Sequence, residues 1–175
     1  MAPTTSGSPE AELDEAGAAR RRVVGSWRSA LPSAVTRSRG RFPMQQILMV
    51  ALGGAVGALL RYGLADLTHR VLGPSFPWGT LVVNLTGCFA IGFLWALHER
   101  APFARLHPLV FTGTLGAFTT FSTFGLETFQ LLRDGEVGRG LANVVASTAG
   151  GLTLVVAGFV AARLLVHLLN PGGAP

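Results

Sequence analysis

Four long apolar stretches constrain this chain more than any other feature of its sequence. They cover residues 44–67, 78–98, 107–132 and 138–168, and each is close to the roughly 20 residues that a helix needs to cross a bilayer. Short polar or Pro/Gly-rich connections separate them: THRVLGPSFP, ERAPFARLHP and RDGEVGRG. The pattern predicts an all-α membrane protein whose four transmembrane helices form one domain over residues 43–170.

The composition limits what such a bundle can do. Only 13% of the residues are charged, against roughly 25% in a typical soluble protein. With 175 residues there is room for one helical unit, but not for an additional catalytic domain. Cys88 is the single cysteine and lies in an apolar run, where it is expected to be a small packed residue. Because the sequence shows no nucleophile–base pair and no cluster of metal ligands, we expect that the chain is not an enzyme.

Residues 1–42 form an arginine-rich N-terminal tail. Seven of the fourteen arginines lie there, and the Ala-, Ser-, Pro- and Gly-rich composition predicts disorder. The basic charge therefore belongs to a tail rather than to a binding face, and no nucleic acid partner is expected. The arginine triplet at 20–22 could mark a twin-arginine signal, but Arg28 interrupts the apolar run that should follow. Translation could also begin at Met44, and residues 171–175 are predicted to form a short C-terminal tail.

The arginines of the bundle are divided almost evenly between its two sides. Four crossings put both termini on one side, which gives three arginines against four: Arg100, Arg105 and Arg163 against Arg61, Arg70, Arg133 and Arg139. Because loop arginines set the orientation of a membrane protein, this balance predicts insertion in both orientations, unless the tail arginines favour a cytoplasmic N-terminus. A chain with dual topology can pair with its inverted twin.

Polar side chains inside the apolar blocks are costly in a bilayer, so they are candidate functional residues. Asn84 lies in the second block, four residues after Thr80. It could form an interhelical hydrogen bond, or it could offer its amide NH2 to a passing anion. Glu127 is the only carboxylate deep in any block; it could constrain a helix or take part in ion passage. Arg61 could extend its guanidinium to the bilayer surface. The four histidines are expected to lie apart, so no histidine metal site is predicted.

The segment GAFTTFSTFG, residues 116–125, is unusual within a membrane span. Glycine permits a turn, β-branched threonines weaken a helix, and hydroxyl groups can bond to freed backbone groups. Irregular backbone survives in a bilayer only where it faces protein, water or an ion, and broken helices commonly coordinate ions. The segment therefore predicts a third helix that is broken at mid-membrane depth. Phe121 and Phe124, one turn apart, either pack in the core or present positive ring edges to an anion.

Three stretches carry a family resemblance. GGAVGALLRY (53–62), GTLVVNLTGCFAIG (79–92) and TGTLGAFTTFSTF (112–124) resemble, in order and spacing, the signature stretches of the Fluc/CrcB fluoride channels. The resemblance covers roughly residues 44–168. It implies a small four-helix protein that assembles as an antiparallel dual-topology dimer, with two fluoride pores and a structural sodium ion at the centre.

The resemblance also assigns roles to individual residues. Asn84 would be the pore asparagine, and Phe121 and Phe124 the phenylalanine pair beside the ion. The backbone carbonyls of Gly116 and Thr119 would hold the sodium ion, and no organic cofactor is expected. Further residues are expected near the pore: Thr80, Thr120, Ser122, Glu127, Asn143 and Ser147. Two positions depart from the family pattern, since Ala117 replaces a common glycine, and Asn143 and Ser147 stand where a tyrosine–serine track would be expected.

The expected function is passive export of fluoride across the cell inner (plasma) membrane. The sequence has no nucleotide-binding motif and no string of intramembrane carboxylates for proton coupling. The alternative is a small dual-topology multidrug-type exporter, which would need a membrane-buried carboxylate, typically in the first helix. A non-transporting scaffold is a third reading, but it does not explain the polar residues of the second and third blocks. Whether the chain pairs with itself or with a paralogue stays open at this point.

Overall fold

The computed structural model describes residues 43–100, 103 and 105–169, and its membrane-spanning parts are helical except at residues 119–120. Helix α1 comprises Met44–Leu72 and helix α2 comprises Trp78–Arg100. The third span, Pro108–Arg133, and the final helix, Val137–Leu169, complete four segments that are long and apolar enough to cross a membrane. The prediction of an all-helical, multi-pass membrane protein is confirmed. The tails predicted at 1–42 and 171–175 lie outside the described residues, as does residue 170.

The third span consists of three helical segments. A π-helical segment, Pro108–Leu115, leads into the short helix α3, Gly116–Phe118, and helix α4 then covers Phe121–Arg133. Proline suits the first position of a helix because its missing N–H would have no partner there. Within the π-helical segment the Thr114 hydroxyl donates to the Leu109 carbonyl, five residues back, at 3.0 Å.

Two extended residues separate α3 from α4. Thr119 has φ −83° and ψ 156°, and Thr120 has φ −148° and ψ 110°. Both lie in the β region of backbone space, so the helical hydrogen-bond ladder is interrupted between them. Helix α4 resumes at Phe121 with Thr120 as its N-cap, whose hydroxyl accepts the Thr123 N–H at 3.3 Å. We call these two residues the third-span junction.

Glycines bring the helices into close contact. A Cβ at Gly53 would collide with the Leu109 carbonyl, and one at Gly57 would collide with the Thr114 carbonyl, so α1 packs directly on the backbone of the π-helical segment. Helix α2 and the final helix, α5 (Val137–Leu169), approach each other in the same way through Gly92 and Gly158. Small residues that allow such approach are typical of helix packing in membranes.

The outward faces are apolar, and the buried positions include polar side chains beside apolar ones. Leu59 and Leu152 are about 70% exposed, at 71% and 70%, while Thr128 and Asn143 are buried. This arrangement is the reverse of a water-soluble bundle, and it suits a protein whose surroundings are lipid hydrocarbon.

Two histidines meet at one end of the bundle. The rings of His98 and His107 lie 5.8 Å apart between centroids, and Phe111 packs edge-on against one and stacks on the other. The backbone N–H of Phe103 donates to His98 Nδ1 at 3.3 Å, which folds the connection back over α2. The expectation that all four histidines lie apart is therefore wrong for this pair, because the connection returns the start of the third span to the end of α2. Among the described residues, no group of three or more His, Cys, Asp or Glu side chains could hold a metal ion.

Candidate functional site

A cavity of about 360 Å³ lies beside the third-span junction. Three elements surround it: helix α2, the third span and helix α5. It brings together most of the residues that the sequence suggested for an ion path or a cation site: Asn84, Gly116, Thr119, Thr120, Phe121, Phe124 and Ser147. Its polar groups are an amide, hydroxyls and backbone, and none of the described residues that line it carries a charged side chain.

Asn84 contacts the junction through both ends of its side-chain amide. Its Nδ2 donates to the Thr120 carbonyl at 3.0 Å, and its Oδ1 accepts the Thr120 N–H at 2.8 Å. The interhelical hydrogen bond considered from the sequence is thus present. It does not use all of the donors, because an asparagine Nδ2 carries two N–H groups and the Thr120 carbonyl takes one. Asn84 is half-buried and lines the cavity.

The junction redirects two backbone N–H groups. In a continuous α-helix, the N–H of residue i bonds to the carbonyl of residue i−4. Here the Thr120 N–H, which would reach the Gly116 carbonyl, donates to Asn84. The Thr123 N–H, which would reach the Thr119 carbonyl, donates to the Thr120 hydroxyl. The carbonyls of Gly116 and Thr119 have therefore lost the donors that a helix would supply.

The two phenylalanines of TTFSTF line the cavity together but differ in exposure. Their ring centroids are 5.5 Å apart and their planes are inclined by 49°. Phe124 is buried at 9% exposure, whereas Phe121 is 82% exposed. Core packing within one chain thus accounts for Phe124 but not for Phe121.

A buried hydrogen-bond chain holds α4 against α5. Thr128 Oγ1 donates to the Phe124 carbonyl at 2.8 Å and accepts from Asn143 Nδ2 at 2.9 Å. Asn143 Oδ1 is 3.5 Å from the Ser147 hydroxyl, at the limit for a hydrogen bond. Asn143 is only 2% exposed and is not among the residues lining the cavity, whereas Ser147 is. Thr128 was not predicted from the sequence, although its place four residues after Phe124 was a usable signal.

Thr80 and Glu127 meet at a second cavity of about 290 Å³. The Thr80 hydroxyl donates to Glu127 Oε1 at 2.8 Å, while Glu127 Oε2 is buried and has no hydrogen-bond partner in the part of the chain that the structure describes. Thr80 precedes Asn84 by four residues, so the two side chains lie on the same face of α2, one turn apart. Ser122 lies outside both linings, and its hydroxyl is 3.4 Å from that of Thr120.

Comparison with known proteins agrees with the three signature stretches. The family model described as "CrcB-like protein, Camphor Resistance (CrcB)" matches residues 48–159 of this chain. The chain belongs to the CrcB-like family. The resemblance stated from the sequence is thereby confirmed.

Several curated relatives carry one name, and the aligned region covers nearly the whole of each relative. The "Fluoride-specific ion channel FluC" of Salinibacter ruber is 50% identical over 124 residues, which cover 70% of this chain and 93% of that protein. Proteins of the same name from Dehalococcoides mccartyi strain BAV1 and Rhizobium leguminosarum are 45% and 47% identical, with 95% and 99% of their lengths covered. Since the family consists of ion channels, the expectation that this chain is not an enzyme is confirmed.

Proposed function

We propose that this protein is a fluoride-selective channel and that its ion path passes the cavity at the third-span junction. The observation that carries the proposal is the meeting, in one cavity, of Asn84, the junction hydroxyls and the TTFSTF phenylalanines. All of them are neutral. The curated relatives named as fluoride-specific channels support the choice of ion.

Neutral donors suit a small anion that has to cross a bilayer. An unpaired ion in a low-dielectric interior costs tens of kcal/mol in the Born limit, so a pore must replace the hydration shell. The second N–H of Asn84, the hydroxyls of Thr120 and Ser147, and the positive ring edges of the phenylalanines can do so. A fixed cation in the path would bind the ion too firmly for rapid release. Thr80, one turn from Asn84 on the same face of α2, and Glu127 of α4, which accepts the Thr80 hydroxyl, extend the path towards the second cavity.

Among the described residues, no carboxylate that could couple flow to protons lines the cavity at the third-span junction, and the proposed flow is passive. Hydrogen fluoride crosses lipid and dissociates inside a cell, so fluoride accumulates when the surroundings are acidic. With the interior electrically negative, a passive channel in the plasma membrane exports it. The multidrug-type exporter is disfavoured by α1, whose Asp66 lies near the helix end, is 43% exposed and pairs with Arg70 at 2.7 Å.

An antiparallel pair of identical chains accounts for features that one chain leaves open. Phe121 is 82% exposed beside the cavity, and the carbonyls of Gly116 and Thr119 lack their helical donors. A second, inverted copy would cover the ring and bring two junctions face to face. The even division of arginines supports insertion in both orientations. We propose that residues 43–170 form this channel domain.

The residues at the junction fit a structural sodium ion. In hydrocarbon, carbonyls without donors cost several kcal/mol each. Gly116 and Thr119 of two chains would offer four carbonyl oxygens. Four ligands are too few for Ca²⁺, and a site without water ligands does not suit Mg²⁺, which retains several of its waters. A bound sodium ion would supply charge compensation for these oxygens and join the two chains. Dimer stability should therefore fall in sodium-free buffer and return when sodium is restored.

Fluoride efflux from liposomes tests the function. The full chain is reconstituted with internal fluoride, and a fluoride electrode follows its release after a potassium ionophore removes the opposing potential. Rapid efflux is expected, with chloride-loaded liposomes showing no comparable release and protein-free liposomes as a baseline. Efflux no faster than from protein-free liposomes would refute the channel. Proton-driven uptake of a cationic dye instead would favour the exporter.

A further inference from the structure

One side chain satisfies both backbone groups of a residue in a different membrane span. Asn84 and Thr120 are 36 positions apart in the sequence, yet Asn84 donates to the Thr120 carbonyl and accepts from the Thr120 N–H, at 3.0 and 2.8 Å. Two antiparallel strands exchange hydrogen bonds in the same reciprocal way. The Asn84 amide thus bonds to Thr120 as a neighbouring strand would, because Thr120 is extended, at φ −148° and ψ 110°.

This exchange affects the Gly116 carbonyl. If Thr120 were helical, its N–H would bond to the Gly116 carbonyl, four residues back. By accepting that N–H, Asn84 keeps the Gly116 oxygen from being used within the third span. The Thr119 oxygen loses its donor by a different route, since the Thr123 N–H goes to the Thr120 hydroxyl. Asn84 therefore acts on one of the two proposed sodium ligands, not on both.

A second feature of α2 contacts the same junction. Gly87 lies one turn after Asn84, and a Cβ there would collide with the Thr119 methyl group. The face of α2 that contains Asn84 and Gly87 thus fits both junction residues, one through hydrogen bonds and the other through close packing. A side chain that served only as a donor to an ion would not require this fit.

We propose that Asn84 is a positioning residue for the cation site: it holds Thr120 extended and so keeps the Gly116 carbonyl available to sodium. This rests on the sodium site proposed above. Asn84, which offers an N–H to the anion, would then also shape the site of the cation. Because linkage between two sites is reciprocal, occupancy of one should alter the affinity of the other.

The test separates these two roles of Asn84 with two kinds of substitution. N84L removes both hydrogen bonds to Thr120. N84D keeps an oxygen that can accept the Thr120 N–H but lacks the amide NH2. S147A is the matched control, since Ser147 lines the same cavity from α5 and its hydroxyl lies against Asn143 Oδ1.

The measurement is the melting temperature of the full-length dimer in detergent, as sodium replaces choline at constant ionic strength. N84L should raise the sodium concentration for half-maximal stabilisation at least tenfold. N84D and S147A should leave it within about threefold of the wild-type value. N84D should nevertheless lose most of its fluoride efflux, because the amide donor to the anion is missing. Because N84L could fail to assemble, N84S is measured as well. Its hydroxyl is too short to reach both Thr120 groups, so N84S should raise the sodium midpoint as N84L does.

The outcomes distinguish the inference from the function on which it rests. A wild-type protein insensitive to sodium would refute the cation site, and the inference with it. If the wild-type protein responds to sodium while N84L or N84S keeps the wild-type midpoint, the site stands and the positioning role is wrong. If N84D shifts the midpoint as far as N84L, acceptance of the Thr120 N–H is not what prepares the site.

Discussion

Replacing Thr128 with valine should destabilise the protein by leaving a buried amide without its acceptor. Valine keeps the branched shape of threonine but lacks the hydroxyl. That hydroxyl accepts from Asn143 Nδ2 at 2.9 Å and donates to the Phe124 carbonyl at 2.8 Å. The Phe124 carbonyl retains its place in the helical ladder of α4, so the larger loss falls on Asn143, which is 2% exposed.

The magnitude follows from these contacts. A buried polar group left without a partner costs about 1–3 kcal/mol, and single interhelical hydrogen bonds in membranes contribute about 0.6–2 kcal/mol. We therefore expect T128V to lower the free energy of unfolding by about 1–2 kcal/mol. The Ser147 hydroxyl lies 3.5 Å from Asn143 Oδ1, where a hydrogen bond is weak, so S147A should cost less than about 0.5 kcal/mol.

The assay is a double-mutant cycle on reversible unfolding of the purified protein in mixed micelles. N143L removes the amide that T128V would leave unsatisfied. The double variant should therefore be less destabilised than the sum of the two single variants, by about 1 kcal/mol. S147A is measured beside them as the control for cavity residues in general. Additive losses would contradict the reasoning, as would a T128V protein with the stability of the wild type.

Three further perturbations address the junction, the exposed ring and the tail. Gly87→Ala should reduce fluoride efflux at least tenfold, because the alanine Cβ would collide with the Thr119 methyl group. Gly54→Ala is the control and should not reduce efflux, since a Cβ there meets no atom within 4 Å. Equal efflux from both variants would contradict this. Phe121→Leu should reduce efflux while the proposed dimer stays assembled, since leucine removes the ring edge but keeps apolar area at a position that is 82% exposed in one chain; wild-type efflux would remove Phe121 from the path. A protein that starts at Met44 should insert and conduct like the full chain, and loss of the dimer on gel filtration would show that the tail is needed.

Much of the architecture follows from properties local to the chain. Four apolar runs separated by polar connections were enough to predict four membrane helices, because crossing a bilayer depends on the length and hydropathy of each run by itself. The three signature stretches were enough to assign the family, because they are contiguous and specific. The histidines show where such reasoning fails: His98 and His107 are near each other in space only because the connection folds back, and no local pattern encodes that return.

The roles of the polar residues required the tertiary structure. The sequence identified Asn84 and Glu127 as polar groups inside apolar blocks, and the family resemblance added Asn143, but neither could name their partners. Those partners are Thr120, 36 residues away, Thr80, 47 residues away, and Thr128 on the neighbouring helix. The physical reason is that a hydrogen bond between helices depends on their register and separation. Those are set here by glycine contacts between backbones, which a linear pattern of residue types permits but does not specify.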